Sequence, residues 1–334
     1  MQYREEMQVT APYKKQYVDG FERILEQRQQ EATAIRENYA QHIFESPESY
    51  RKDFREMLGW PLVGHTASGS PAVVSEKLAD EETYTLYRMH FDILDGLTMS
   101  GLFFRLKGDE KKPLVIVQHG GLGTPERVSG AYGDTGNHNR IVERVVEQGV
   151  HAFAPQLLLW GEKYEVPFDR RPLDAKLKRV GSSITALEIY GITRILDYFE
   201  TQSYVKNFGM VGLSYGGFYT LFTTAADTRI RAAYSCSFFN TRDRIGWSDW
   251  TWQCSAEKFD DAEVACLVYP RKLYIRVGNA DELFDCRYAI ESFETLKKRC
   301  HRVGTDWVDF AAFEGVHEFC NDDTPIKNLV NDLL

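Results

Sequence analysis

Apolar side chains recur at helical spacing near the start of the chain. Between residues 11 and 44 they are separated by charged and glutamine residues, which predicts a polar helix with one apolar stripe. The stripe consists of Tyr13, Tyr17, Phe21, Ile24, Ala32, Ile35, Tyr39 and Ile43. With the shorter helix that follows, this pattern predicts a helical arm over residues 1–62.

The shorter helix lies in the segment SYRKDFREMLGWPL. Tyr50, Phe54 and Leu58 share one face of it. Gly59 is placed to follow the helix as its C′ residue, and Pro61 prevents its continuation.

The pattern changes to strands at about residue 83, after a predicted linker over 63–82. The runs TYTLYRMHFDI and LTMSGLFFRL, joined through Asp95-Gly96, predict an antiparallel hairpin. Beyond them, apolar strands alternate with helices. The predicted strands are 113–121, 151–159, 208–214, 231–239, 271–281 and 306–315, and the predicted helices are 139–149, 183–202, 216–226, 288–300 and 324–334. Such an alternation predicts an α/β domain over 83–334, with a mostly parallel central sheet and helices on both faces.

Ser214 lies in the sequence VGLSYGGF, between a predicted strand and a predicted helix. Ligands of parallel sheets bind beyond the carboxyl ends of the strands, where Ser214 falls. Gly212 and Gly216 permit a tight turn that exposes the serine, as in a nucleophile elbow. The alternative is that Ser214 caps the following helix.

Glycines follow an earlier strand in the sequence VQHGGLG. Gly120 and Gly121 after His119 let backbone N–H groups approach a developing oxyanion. A plain β-to-α turn is the alternative.

An acid and a histidine follow two later strands. Asp281, in YIRVGNADELF, can accept a hydrogen bond from the ring N–H of a catalytic histidine, with Glu282 and Asp285 as rivals. Any one of the three could instead be an N-cap or first-turn acid of the next helix. His317, in FEGVHEF, follows the last strand. The order Ser214, Asp281, His317 is the order of an α/β-hydrolase triad.

These motifs resemble the α/β-hydrolase superfamily, and within it the dienelactone hydrolase and acetyl xylan esterase-like branch. The G-x-S-Y-G-G motif is shared with prolyl oligopeptidase-type peptidases. The resemblance implies that Ser214 attacks an acyl carbonyl, that His317 moves the proton and that Asp281 orients His317. It also implies that the N–H of Tyr215 and one near Gly120 or Gly121 bind the oxyanion, with no cofactor or metal. Dienelactone hydrolases proper use a cysteine nucleophile, so the serine favours simple ester hydrolysis.

The amino-acid composition limits the classes of binding partner that we expect. The 334 residues carry 49 Asp+Glu and 40 Lys+Arg, a net charge of −9, which argues against nucleic acid and anionic membranes. The sequence shows neither a signal-like apolar run at its start nor a membrane span, and we expect a cytoplasmic protein. Its six cysteines lack metal-ligand spacing and are expected to be reduced thiols.

Two loops could shape a substrate pocket. Trp247, Trp250 and Trp252 lie where α/β-hydrolases carry lids, and Trp250 is our candidate for substrate contact. Packing of these rings onto the domain or the arm is the alternative.

The second loop, 158–181, is predicted to be polar. It carries Arg170, Arg171, Lys176, Lys178 and Arg179, interspersed with Glu162, Glu165, Asp169 and Asp174. The cations could meet an anionic substrate, but a solvated face fits the mixed charges better.

The sequence therefore favours a hydrolase of small acyl esters, with acetylated carbohydrate as one substrate class. A prolyl oligopeptidase-like peptidase and a non-catalytic scaffold are the alternatives. The arm must bury its stripe on its own domain or on a second subunit, and we expect a homodimer or higher oligomer. If the arm is only a clasp, deletion of residues 1–60 leaves a soluble monomer, whereas aggregation indicates packing within the chain.

Overall fold

A nine-stranded sheet organises the protein in a computed structural model, which describes residues 2–60, 69–160 and 168–334. The strands are β1 (Val73–Asp80), β2 (Tyr84–Leu94), β3 (Leu97–Leu106), β4 (Lys112–Gln118), β5 (His151–Pro155), β6 (Val205–Leu213), β7 (Ile230–Cys236), β8 (Lys272–Gly278) and β9 (Val308–Phe313). Their order across the sheet is β1-β2-β3-β5-β4-β6-β7-β8-β9. The first three strands and the β3–β5 pair are antiparallel, and every pair from β5 to β9 is parallel. The predicted mostly parallel sheet is therefore confirmed.

Helices cover both faces of this sheet. They are α1 (Ala11–Tyr39), α2 (Pro47–Leu58), α3 (Pro125–Val128), α4 (Ile141–Val146), α5 (Arg170–Arg179), α6 (Ile184–Glu200), α7 (Tyr215–Ala226), α8 (Asp261–Cys266), α9 (Cys286–Arg299) and α10 (Thr324–Leu333). None of the helices in the described ranges is long and apolar enough to cross a membrane.

Alternate residues of the central strands enter two separate cores. In β4, Leu114 and Ile116 pack on the side of α2, α6, α7, α8 and α9, whereas Val115 and Val117 pack on the side of α4 and α10. This burial on both faces is why the central strands have continuous apolar sequences.

The predicted hairpin is present, but the segment before it is more structured than a linker. Leu94 pairs with Leu97 across the turn at Asp95-Gly96. Within the predicted linker, β1 pairs with β2 from Val73 opposite Phe91 onward. Most of β1 is exposed, so its sequence lacks the apolar alternation that would have indicated a strand.

The predicted polar loop over 158–181 contains α5. Asp169 caps this helix by accepting a hydrogen bond of 3.1 Å from the Arg171 N–H. Arg170 and Asp174 are buried, which corrects the solvated face predicted for them. Glu162 and Glu165, like Pro61 of the arm, lie outside the described residues.

The arm divides into two parts. Most of α1 is exposed, including Tyr13, Tyr17 and Phe21, whereas Phe54 and Leu58 of α2 are fully buried in the core. Gly59 follows α2 in the left-handed conformation with φ of 82°, as predicted for a C′ residue.

Candidate active site

Ser214 occupies a strained turn between β6 and α7. Its φ of 58° and ψ of −119° are unusual for an L-amino acid and typical of a nucleophile elbow. A Cβ atom on Gly212 would lie 2.3 Å from the Gly216 carbonyl oxygen, and one on Gly216 would lie 2.3 Å from the Gln118 carbonyl oxygen. Both positions therefore require glycine. The Ser214 side chain makes no capping hydrogen bond to α7, which removes the N-cap alternative.

The elbow also presents backbone donors. The Tyr215 N–H lies at the first position of α7, where N–H groups have no partner within the helix. The helix dipole adds a partial positive charge there. This end of α7 can therefore stabilise negative charge that develops next to Ser214.

His317 and Asp281 form a close pair. The His317 Nδ1–H donates to Asp281 Oδ2 over 2.8 Å, and the Asp281 side chain is fully buried. Asp281 Oδ1 accepts from the N–H groups of Leu283 and Phe284 at 2.8 and 2.9 Å. The carboxylate is thus fixed on one oxygen and free to orient the histidine with the other.

The rival acids have other roles. Asp285 caps α9 through the Arg287 N–H at 2.9 Å and forms an ion pair with the Arg287 side chain. Glu282 is exposed. Of the three candidates, the structure brings only Asp281 to His317.

Neighbouring loops fix the segment that carries His317. The Asn137 side chain donates to the His317 carbonyl oxygen over 3.1 Å. Ser237, which follows β7 with φ of 50°, donates its hydroxyl to the Glu318 carbonyl oxygen over 2.7 Å. The histidine is therefore tied to the β4–α4 connection and to the end of β7.

Ser214 and His317 line the same cavity, whose volume is about 260 Å³. Its other lining residues are Gly120, Gly121, Leu122, Arg127, Asn137, His138, Trp160, Tyr215, Trp247 and Leu283. A larger groove of about 730 Å³ lies between the β2–β3 hairpin and α4, and no histidine lines it among the described residues. The smaller cavity is therefore the candidate active site.

Two buried histidines organise the Gly120-Gly121 turn. The Gly120 N–H donates to His138 Nε2 over 2.9 Å, and His138 Nδ1–H donates to the Thr135 carbonyl oxygen over 3.0 Å. Burial lowers the pKa of His138 to about 3 and that of His119 to about 4, so both rings are neutral. Since the Gly120 N–H is already used, Gly121 is the better candidate for an oxyanion donor.

Trp250 does not line this cavity, which corrects its predicted substrate contact. Its ring is 1% exposed and packs 4.4 Å from Tyr215 and 4.6 Å from Phe218, measured between ring centroids. Trp247 contributes the cavity wall instead, stacked on Tyr215 with centroids 5.6 Å apart and an interplanar angle of 4°.

Trp160 forms a further wall that the sequence analysis missed. Its ring meets Tyr215 edge-on at 5.1 Å. The sequence position of Trp160 could have indicated this role. Trp160 follows β5, and ligands of parallel sheets bind where the carboxyl ends of the strands converge.

Comparisons with known proteins identify the fold. A candidate acetyl xylan esterase from Bacteroides fragilis is similar, with a TM-score of 0.67 and 18% identity over 82% of this chain and 76% of that one. A glucuronoyl esterase from Solibacter usitatus has a TM-score of 0.61 and 13% identity, over 85% and 91% of the two chains. Acetyl xylan esterase 1 from Thermoanaerobacterium sp. has a TM-score of 0.57 and 14% identity, over 86% and 94%.

This chain therefore has the α/β-hydrolase fold of these esterases. Comparison with protein-family profiles and with curated proteins finds no match.

Proposed function

We propose that this protein is a serine esterase that cleaves carboxylic esters of small acyl groups through Ser214, His317 and Asp281. The observation that carries the proposal is the 2.8 Å hydrogen bond to a fully buried Asp281 from His317, which lines the same cavity as Ser214. The esterases among the solved structures with this fold support an ester as the substrate.

In the first half of the reaction, Ser214 Oγ attacks the ester carbonyl carbon while His317 Nε2 takes the hydroxyl proton. Asp281 keeps the other ring nitrogen protonated and stabilises the imidazolium. The tetrahedral intermediate then collapses with cleavage of the carbon–oxygen bond to the alcohol, and His317 returns its proton to the leaving oxygen. The product is an acyl group on Ser214 and a free alcohol.

The negative charge of the intermediate falls on the former carbonyl oxygen. The N–H groups of Tyr215 and Gly121 are the proposed donors to it, with the N-terminus of α7 adding favourable charge. In the second half, water loses a proton to His317 and attacks the acyl carbon. The intermediate collapses with cleavage of the bond to Ser214 Oγ, and His317 returns the proton to that oxygen, which releases the acid and restores the Ser214 hydroxyl.

Cavity size supports a small substrate. Drug-sized ligands occupy pockets of roughly 300–1,000 Å³, whereas this one is about 260 Å³. The flat faces and edges of Trp160 and Trp247 offer an apolar surface to the alcohol part. Acetyl esters, including acetylated carbohydrate, are therefore the first substrates to test.

The test is steady-state hydrolysis of a panel of 4-nitrophenyl acetate, butyrate and octanoate, with an acetylated xylo-oligosaccharide and an amide. We expect the acetyl ester to have the highest kcat/KM and the amide to be the poorest substrate. Ser214→Ala should lower kcat by about 10³-fold or more while the circular dichroism spectrum is unchanged.

Each alternative predicts a different result. Amide cleavage as fast as ester cleavage would replace the proposal with a peptidase. A folded wild-type protein that cleaves no ester, or ester turnover that survives Ser214→Ala, would refute the serine esterase assignment.

A further inference from the structure

A fully buried arginine lies behind the elbow. The Arg170 guanidinium donates to the Leu158 carbonyl oxygen and to Glu188 Oε2, each over 3.0 Å, and to the Tyr219 hydroxyl over 2.6 Å. Arg170 Nε also lies 3.0 Å from Asp249 Oδ2, and both side chains are 0% exposed. Isolated buried charge is costly, so this constellation is stable only with its partners in place.

Two partners of Arg170, Leu158 and Asp249, belong to the segments that wall the active-site cavity. Leu158 lies two residues before Trp160, and Asp249 lies two residues after Trp247. The Tyr215 hydroxyl donates to the same Asp249 Oδ2 over 2.9 Å. Arg170 thus connects three segments: the one that follows β5, the loop over 247–252 that carries three tryptophans, and the elbow at Ser214.

Tyr215 is the point where these segments meet. Its ring lies between Trp160, edge-on at 5.1 Å, and Trp247, stacked at 5.6 Å. Its backbone N–H is the proposed oxyanion donor. A change in the Tyr215–Asp249–Arg170 connection therefore shifts both tryptophan walls relative to Ser214.

We propose that Arg170 is a positioning residue, which holds Tyr215, Trp160 and Trp247 in place and thereby sets the preference for the alcohol part of the ester. This inference rests on the proposed esterase function. Arg170 does not line the cavity, so it acts through the aromatic residues and not by touching substrate. Burial disfavours its charge, but Glu188, Tyr219 and Asp249 together raise its pKa, so the guanidinium remains charged.

The test compares methyl acetate with an aryl acetate, because an aryl group offers the tryptophan rings a large apolar surface and a methyl group does not. Arg170→Lys keeps the positive charge but loses the planar set of N–H donors of the guanidinium group. Tyr215→Phe removes only the hydroxyl group, which donates a hydrogen bond to Asp249. In both variants we expect the ratio of kcat/KM for the aryl ester to that for methyl acetate to fall about 10-fold, mainly through KM. A displacement of about 1 Å can cost up to about 10²-fold, and we expect smaller displacements here.

Tyr219→Phe is the matched control. It also removes a hydroxyl bonded to Arg170, but Tyr219 does not line the cavity. Its substrate ratio should stay within about twofold of wild type, even if its stability falls. Active-site titration corrects for unfolded protein, which would lower the apparent kcat/KM for both substrates equally. Tyr215→Phe keeps the test valid if Arg170→Lys does not fold.

Unchanged substrate ratios in Arg170→Lys and Tyr215→Phe would overturn the positioning role and leave the esterase intact. An equal fall in Tyr219→Phe would also overturn it, since the effect would then be one of general packing. A wild-type protein without ester turnover would overturn both the proposed function and this inference.

Discussion

At the scale of single residues, Ser214 is held in a conformation that costs an L-amino acid roughly 1–3 kcal/mol. Local hydrogen bonds offset this cost: the Ser214 N–H donates to the Cys236 carbonyl oxygen over 2.9 Å, and its own carbonyl oxygen accepts from Phe218 over 2.8 Å. Backbone strain at one residue, in a turn built on two obligatory glycines, is the kind of feature that persists at functional sites.

Asp281, which contacts His317, and Asp285, which does not, provide a matched pair for mutation. Asp281→Asn should lower kcat/KM by about 10²-fold or more, because an amide cannot hold the histidine in the correct tautomer or stabilise its charged form. Asp285→Asn should change it less than about threefold, because Asp285 caps α9 and pairs with Arg287. Steady-state hydrolysis of 4-nitrophenyl acetate measures both. The reverse order of effects would refute the assignment of Asp281.

Residue positions were predictable where strand order alone determines them. Ser214, Asp281 and His317 each follow a strand, and the parallel sheet brings those ends together. The burial of Trp250 and Arg170 depends on contacts between segments distant in sequence, which no local pattern encodes. Their composition suggested a lid and a solvated face, and packing overrides both.

At the scale of elements, the buried strands were predictable and the exposed ones were not. The run from Leu114 to Val117 is apolar because both its faces are covered. Edge strand β1 and helix α5 contain few buried apolar side chains, so their sequences resemble loops. A hydrophobic pattern reflects burial, so it does not predict an element that has few buried apolar side chains.

Helix α1 is docked only at its C-terminal end. Arg36 donates to the Ala256 carbonyl oxygen over 2.6 Å and lies 3.5 Å from Glu263, whereas Tyr17 and Ile24 are 71% and 62% exposed. The predicted homodimer through the arm therefore remains a proposal, with the exposed stripe between Tyr13 and Ile24 as the surface for a second copy.

Truncation separates the two parts of the arm. Deletion of residues 1–28 should leave a folded monomer, because it removes mainly exposed side chains. Deletion of 1–60 should cause aggregation, because it removes the buried Phe54 and Leu58 and the Arg51 hydrogen bonds to the carbonyl oxygens of Ala225 and Leu267.

Light scattering and thermal melting measure both truncations. A stable monomer after deletion of 1–60 would show that α2 is dispensable. A full-length protein that is already monomeric would refute the homodimer.

At the scale of the whole molecule, buried histidines should make stability fall in weak acid. Burial lowers the pKa of His119, His138 and His151 to about 4, 3 and 4. Each value lies below the ordinary histidine pKa of 6.5. Between pH 6.5 and about 4 the unfolded chain therefore binds more protons than the folded protein, and the free energy of unfolding decreases as the pH falls through that window. Asp261, whose pKa burial raises to about 7, opposes one of the three. Burial also raises the pKa values of Glu263 and Asp243, which oppose the histidines in the same direction. The net loss is therefore at most about 3 kcal/mol per pH unit.

Guanidinium denaturation at pH 7, 6 and 5 measures this slope. His151→Gln supplies the control, since it removes one titrating group and should reduce the slope by about 1.4 kcal/mol per pH unit. A free energy of unfolding that is constant from pH 7 to pH 5 would contradict the assignment of neutral buried histidines.

The most direct test of the central claim is the intact mass and peptide map after exposure to a fluorophosphonate probe, which reacts with activated serines. We predict one adduct per chain, located on Ser214, and none in Ser214→Ala. Because the reaction requires a nucleophile, a base and an oxyanion site together, it tests the assembled site without knowledge of the substrate. A folded wild-type protein left unmodified, or modified at another residue, would contradict the proposal that Ser214, His317 and Asp281 form a working triad.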